Sequence, residues 1–101
     1  MAGKRRKSVF SRYDVADYLG SAEDVVEYLQ ACIDEAGDDS TLIAAALGDI
    51  ARAKGMTELS QKTGLTRDGL YKALAKDGNP SFATVMKVLS ALNVKLVLHP
   101  N

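Results

Sequence analysis

The sequence predicts an all-α fold of four to five helices followed by a short C-terminal β-strand. Three observations predict it. Apolar residues recur at three- and four-residue spacing in successive stretches, each opened by Ser, Thr or Asp and most closed by Gly or Asn. Only residues 94–98, Val-Lys-Leu-Val-Leu, show partial alternation with branched side chains. The 101 residues, 47% hydrophobic and without Trp, suit one small domain with an aliphatic core. The same figures exclude a collagen-like or wholly disordered chain. The longest apolar run, residues 42–47, is six residues, against about 20 needed to span a membrane. No apolar run follows the basic start, so no secretory signal is read there. A single cysteine cannot form an internal disulfide, which points to a reducing compartment, the cytoplasm.

Taken in order, residues 13–19 suggest a short helical turn, with Val15, Tyr18 and Leu19 on one side, stopping at Gly20. Ser21 caps the next helix, in which Val25, Val26, Leu29, Cys32, Ile33 and Ala36 form one face; Gly37 ends it. Asp38 or Asp39 caps a helix with a wide stripe of Leu42, Ile43, Ala46, Leu47, Ile50 and Ala53, ended by Gly55. Thr57 is expected to cap a short helix that stops at Gly64, and Thr66 another over residues 67–75. Ser81 caps the last helix, where Phe82, Val85, Met86, Leu89 and Leu92 predict a buried stripe. Asn93 can take the left-handed conformation that ends it. A lone strand at 94–98 has no partner in the chain, so it would pair with another molecule or lie as an extended tail on the helices.

The net charge of zero hides a segregation. Residues 1–13 carry five bases and no acid; residues 14–39 carry nine acids and no base; residues 49–101 carry eight bases and four acids. Such a chain has a polar field despite its neutral sum. The acidic block is either a solvated helix face or a surface for a basic partner. The basic arm is either a flexible tail or a cloning remnant.

The stretch MTELSQKTGLTRDGLYKAL carries the most chemistry. Two short helices meet at Gly64-Leu65, where glycine supplies the backbone conformation of the turn. Ser60 is small enough to let the helices cross closely. Leu59, Leu65, Leu70 and Leu74 point inward and leave Arg67, Asp68, Tyr71 and Lys72 outward. This is the arrangement of a helix-turn-helix, and a helix so presented fits the DNA major groove. Arginine there reads guanine bidentately, and Asp68 either accepts from cytosine or favours the helix N-terminus. Tyr71 and Lys72 reach phosphates or bases. Thr57, Thr66 and Ser81 lie at helix N-termini, where free N–H groups bind phosphate. Gly69 reads either as close approach to another backbone or as simple tolerance.

Catalytic and metal-ligating sets are absent from the pattern. His99 is the one histidine, Cys32 lies on an apolar stripe, and neither zinc-ligand spacing nor a phosphate-binding glycine loop occurs. Asp34-Glu35 and Asp38-Asp39 read as helix-end residues rather than a metal loop. No catalytic residue, metal, cofactor or small-molecule substrate is expected.

The run LIAAALGDIARAKGMTELSQKTGLTRDGLYKALAKDGNPSFATVMKVLSALNVKL resembles the HigA-like antidote (antitoxin) proteins of bacterial addiction modules, within the Xre or lambda-repressor-like helix-turn-helix class. The preceding FSRYDVADYLGSAEDVVEYLQACIDEAGDDS resembles the leading segment of that group, so the likeness covers about residues 10–98. The most specific parts are LGDIARAKGMT, LYKAL and GNPSFATVMKVL. The resemblance implies a homodimer that represses its own operon and neutralises a RelE/ParE-like toxin. It places Thr66, Arg67, Asp68, Tyr71 and Lys72 on the recognition helix and Thr57, Asn79 and Ser81 at phosphates. One departure is that Thr57-Glu58 stands where a glutamine often opens the first helix of the motif. Such toxins are basic, so the acidic block, with Glu23, Asp24 and Glu27, is the expected toxin surface. The implied organisation is a basic arm at 1–12, an acidic helical segment at 13–37 and a helix-turn-helix domain at 38–98. Two other functions fit the same residues: a stand-alone Xre-type repressor, and a helical protein-interaction module.

Overall fold

The computed structural model describes residues 19–75 and 77–100. The basic arm and most of the expected turn at 13–19 lie outside the described residues. Five helices follow one another: α1 (Ala22–Ala36), α2 (Ser40–Lys54), α3 (Met56–Thr63), α4 (Arg67–Ala73) and α5 (Phe82–Ala91).

Their limits are set by local chemistry. Ser21 caps α1 by accepting from the Asp24 N–H at 3.2 Å, and the Asp24 carboxylate reaches back to the Gly20 N–H at 3.1 Å. Of the two candidates for α2, Asp39 is the cap: its Oδ1 accepts from Thr41 N–H at 3.0 Å and from Thr41 Oγ1 at 2.6 Å. These bonds hold the Asp39 carboxyl below its ordinary range. Thr66 and Ser81 cap α4 and α5 by accepting from the N–H groups of Gly69 and Thr84. Asn93, at φ 62°, ends α5. Its N–H donates to the Ser90 carbonyl and that of Val94 to the Leu89 carbonyl, while Val94 packs onto the core.

Two local expectations fail. Thr57 is not a cap: α3 begins one residue earlier, at Met56, after Gly55 at φ 110°. Met56 is buried, and its packing draws the helix start forward. Residues 94–98 form no strand, and none occurs among the described residues. A strand exists only through a ladder with a neighbour, and this segment has none there.

Leu19, Val25, Leu29, Leu47, Ile50, Met56, Leu59, Leu70, Leu74, Val88, Leu89 and Leu92 make the core. Helix α1 packs along α2, and α3 contacts α2, α4 and α5. Helix α2 is buried on two sides. Besides Ala46, Leu47 and Ile50, the small residues Ala44, Gly48 and Ala51 recur at i, i+4 and i+7 and are also buried. Leu42 and Val26, expected inside, are exposed. The stripe on α5 is likewise turned. Val85, Val88, Leu89 and Leu92 face the core, whereas Phe82 and Met86 remain exposed. Apolar residues wrap too wide an arc of α5 for one contact to cover.

Candidate nucleic-acid interface

Helix α4 is seven residues long and is held from beneath. Leu70 and Leu74 are completely buried, Leu59 of α3 nearly so, and Leu65 is half-buried under the turn. The turn is stitched by hydroxyls. Gly64 sits at φ 78°, ψ 6°, the left-handed region. Ser60 donates to the Leu65 carbonyl. Thr63 Oγ1 donates to the Leu59 carbonyl at 2.7 Å and accepts from the Leu65 N–H at 3.2 Å. Ser60 therefore ties the turn as well as being small, a role its spacing did not reveal.

Two glycines fix the far end of α4. A Cβ on Gly48 of α2 would stand 2.3 Å from the Leu74 carbonyl oxygen. A Cβ on Gly78 would stand 2.4 Å from the Ala73 carbonyl oxygen and 2.6 Å from that of Lys72. The crossing helix and the following loop both lie against the backbone at the end of α4. Neither glycine stood out in the sequence; the signal for Gly48 is its place in the small-residue series with Ala44 and Ala51. Gly69 has a local reason instead: its missing Cβ would lie 3.0 Å from Thr66 Oγ1, so the glycine clears the cap rather than another helix.

The outer side of α4 carries Arg67, Asp68, Tyr71 and Lys72, all exposed. Lys72 Nζ stands 3.5 Å from Asp68 Oδ2, with both side chains about four-fifths exposed. A pair so hydrated is weak and exchanges readily for a stronger anion. Thr66 opens the helix, Thr57 lies exposed in the first turn of α3, and Asn79 and Ser81 are exposed just before α5. Thr66 accepts from its own helix and keeps its hydroxyl proton for an outside acceptor, whereas Ser81 both accepts from the Thr84 N–H and donates to Thr84 Oγ1 at 3.1 Å. Glu58, in the first turn of α3, pairs with Lys62, whose Nζ lies 3.0 Å from its carboxylate.

The acidic side is separate. Glu23, Asp24 and Glu27 come together with Val26 and Asn93 around an open groove of about 480 Å³. Asp24 also serves the start of α1, as described above. Behind this face, Tyr28 donates to Asp49 Oδ2 at 3.4 Å, and Asp49 pairs with Arg52 at 3.3 Å, linking α1 to α2. Burial, then the neighbouring Cys32 and Asp49, push the Tyr28 phenol well above its ordinary range. Cys32 is half-buried against the core. Among the described residues no three His, Cys, Asp or Glu side chains gather as metal ligands, and no helix is long and apolar enough to cross a membrane.

Comparison with known proteins adds to this geometry. The chain is 51% identical, over 83 residues, to an uncharacterized protein of Haemophilus influenzae; the match covers 82% of this chain and 84% of that one. No solved structure matches it. A family model described as "Probable addiction module antidote protein" matches residues 9–100. An exposed polar helix on a leucine base and a separate acidic groove thus sit in a chain that belongs to the addiction-module antidote protein family.

Proposed function

We propose that the chain is the antitoxin of a type II addiction module of the HigA-like, Xre helix-turn-helix kind. It binds operator DNA as a homodimer to repress its own operon, and neutralises a RelE/ParE-like toxin by direct contact in the cytoplasm. Family membership supports a toxin partner. The observation that carries the DNA part is α4 itself: its inner leucines are fully buried while Arg67, Asp68, Tyr71 and Lys72 stand in solvent. A short rigid helix with a cationic, hydrogen-bonding outer side suits the major groove. Because one such helix reads only a few base pairs, two copies one DNA turn apart give operator-level affinity. Arg67 reads a base, Tyr71 and Lys72 a base or a phosphate, and Thr57, Thr66, Asn79 and Ser81 the phosphate backbone. No step of this function requires catalysis by the chain.

A gel shift with the chain's own promoter, run at several salt concentrations, tests the reading. Binding weakens steeply as salt rises. Arg67→Ala costs about 1–3 kcal/mol, confined to one base position. Failure to bind the promoter, alone or with toxin, refutes the DNA part. The toxin part is tested by coexpression with the product of the adjacent gene. Glu23→Gln with Glu27→Gln slows association and flattens its salt dependence. Unchanged binding and salt dependence would reduce the acidic face to a solvated helix surface.

A further inference from the structure

Asn93 stands at the rim of three adjoining hollows. The acidic groove of α1, about 480 Å³, is one of them. It shares Ala22 and Asn93 with a narrower passage of about 160 Å³, which has Lys54, Glu58 and Lys62 on its sides and the buried Leu59 and Leu92 at its base. That passage shares Lys62, Ala91 and Asn93 with a third hollow of about 330 Å³, where Thr63, Lys87 and Ser90 complete the wall. The hollows form one trough, acidic at the α1 end and basic at the α3–α5 end.

The basic end has the groups of an anion site. Lys54 and Lys62 lie in the last turns of α2 and α3, where a cation suits the helix dipole. Lys87 stands before the last turn of α5 and has no such local reason. Three exposed lysines from three helices thus face one trough, against one acid, Glu58. The Glu58–Lys62 pair is half in solvent and weak, so Lys62 can take a second carboxylate at little cost. Ser90 adds a hydroxyl and Asn93 an amide. Thr63 adds no donor, because its proton goes to the Leu59 carbonyl. Helices α3 and α5 end here, and their last carbonyls repel an anion, so the lysines must hold it. Glu23, Asp24 and Glu27 at the other end of the trough repel nucleic acid.

A matching occupant brings cations to one end and an anion to the other. The passage between the ends is the narrowest of the three hollows and suits an extended chain rather than a helix about 10 Å across. A basic toxin has few acids to present, but every chain ends in a carboxylate. We propose that the trough takes the C-terminal segment of the toxin in extended form. Its terminal carboxylate lies on Lys62 and Lys87, and the basic side chains just before it lie on Glu23, Asp24 and Glu27. Val26, 46% exposed in the acidic groove, packs against their aliphatic stems. The proposal rests on the toxin partner of the proposed function and names the part of the toxin that is bound.

Calorimetric titration of the full chain tests it, with the purified toxin of the adjacent gene and with a synthetic peptide of that toxin's last residues, its C-terminus free or amidated. The free-carboxylate peptide binds about tenfold tighter than the amidated one. Lys62→Ala with Lys87→Ala removes that difference and weakens the intact toxin about tenfold. Lys95→Ala, whose lysine lines none of the three hollows, changes neither. Should Lys62→Ala disturb α3 by circular dichroism, Lys87→Ala decides alone, with a loss of about threefold. Equal binding of the two peptides overturns the proposal. So does an intact toxin that needs both lysines yet binds as well with residues added after its C-terminus, since its anion is then an internal acid. A toxin weakened by Glu23→Gln with Glu27→Gln but indifferent to the lysines keeps the toxin partner and overturns this site. An intact toxin that binds no version of the chain ends the toxin part of the proposed function itself.

Discussion

Replacing Gly48 by alanine adds one methyl group to α2, and its consequence is worked from the crossing at the end of α4. The new Cβ would lie 2.3 Å from the Leu74 carbonyl oxygen, whereas ordinary contact starts at 3.4 Å. Two backbones must therefore separate by about 1 Å, because no flexible side-chain tip is available to give way. Alanine also favours the helix by about 1 kcal/mol. Overpacking of this kind costs typically about 1–3 kcal/mol, so the net loss is about 0–2 kcal/mol. For a domain of this size that lowers Tm by up to about 16 °C. The displacement falls on the helix that carries Arg67 and Lys72, so promoter binding weakens further than stability alone explains. Thermal unfolding and a promoter gel shift measure both. Gly69→Ala is the comparison: its Cβ meets only the Thr66 hydroxyl, at 3.0 Å, so the same helix preference is opposed by a side chain alone and its Tm holds or rises. If Gly48→Ala raises Tm and leaves promoter binding intact, the close crossing does not set the position of α4.

Leu70→Ala removes a completely buried side chain and costs about 2–5 kcal/mol in urea unfolding; a loss below 1 kcal/mol would mean that α4 is not clamped as described. Ser60→Ala deletes the hydroxyl bond to the Leu65 carbonyl and lowers stability by about 1 kcal/mol, and an unchanged urea midpoint would show that the tie is dispensable. Tyr28, whose phenol is held above its ordinary value of 10.0, ionises above that value in the difference between ultraviolet titrations of the folded wild type and Tyr28→Phe. Its protonated form is favoured by folding, so its contribution is present below about pH 10 and declines as pH rises beyond it. Tyr28→Phe flattens that decline, and ionisation of Tyr28 at its ordinary value would contradict the buried setting.

The sequence by itself determined what local chemistry determines. Ser21, Thr66 and Ser81 cap helices because a short side chain reaches an N–H three residues ahead, whereas between Asp38 and Asp39 only the structure chose. Gly37, Gly55, Gly64 and Asn93 end or separate helices because each takes a positive φ. The outward set on α4 was legible because Leu70 and Leu74, one turn apart, define an inner side. What the tertiary structure decided depends on groups distant in the chain. Met56 was drawn into the core, which displaced Thr57 from its expected cap. Gly48 and Gly78 matter only because other backbone arrives within a methyl group of them. Ser60 ties the turn only because the Leu65 carbonyl returns to it. Phe82 and Met86 satisfy a helical stripe, yet packing chose Val85 and Val88 in their place, since one contact covers only part of an apolar arc. Residues 94–98 have the character of a strand, but a ladder is a property of two segments, and one segment cannot specify its partner.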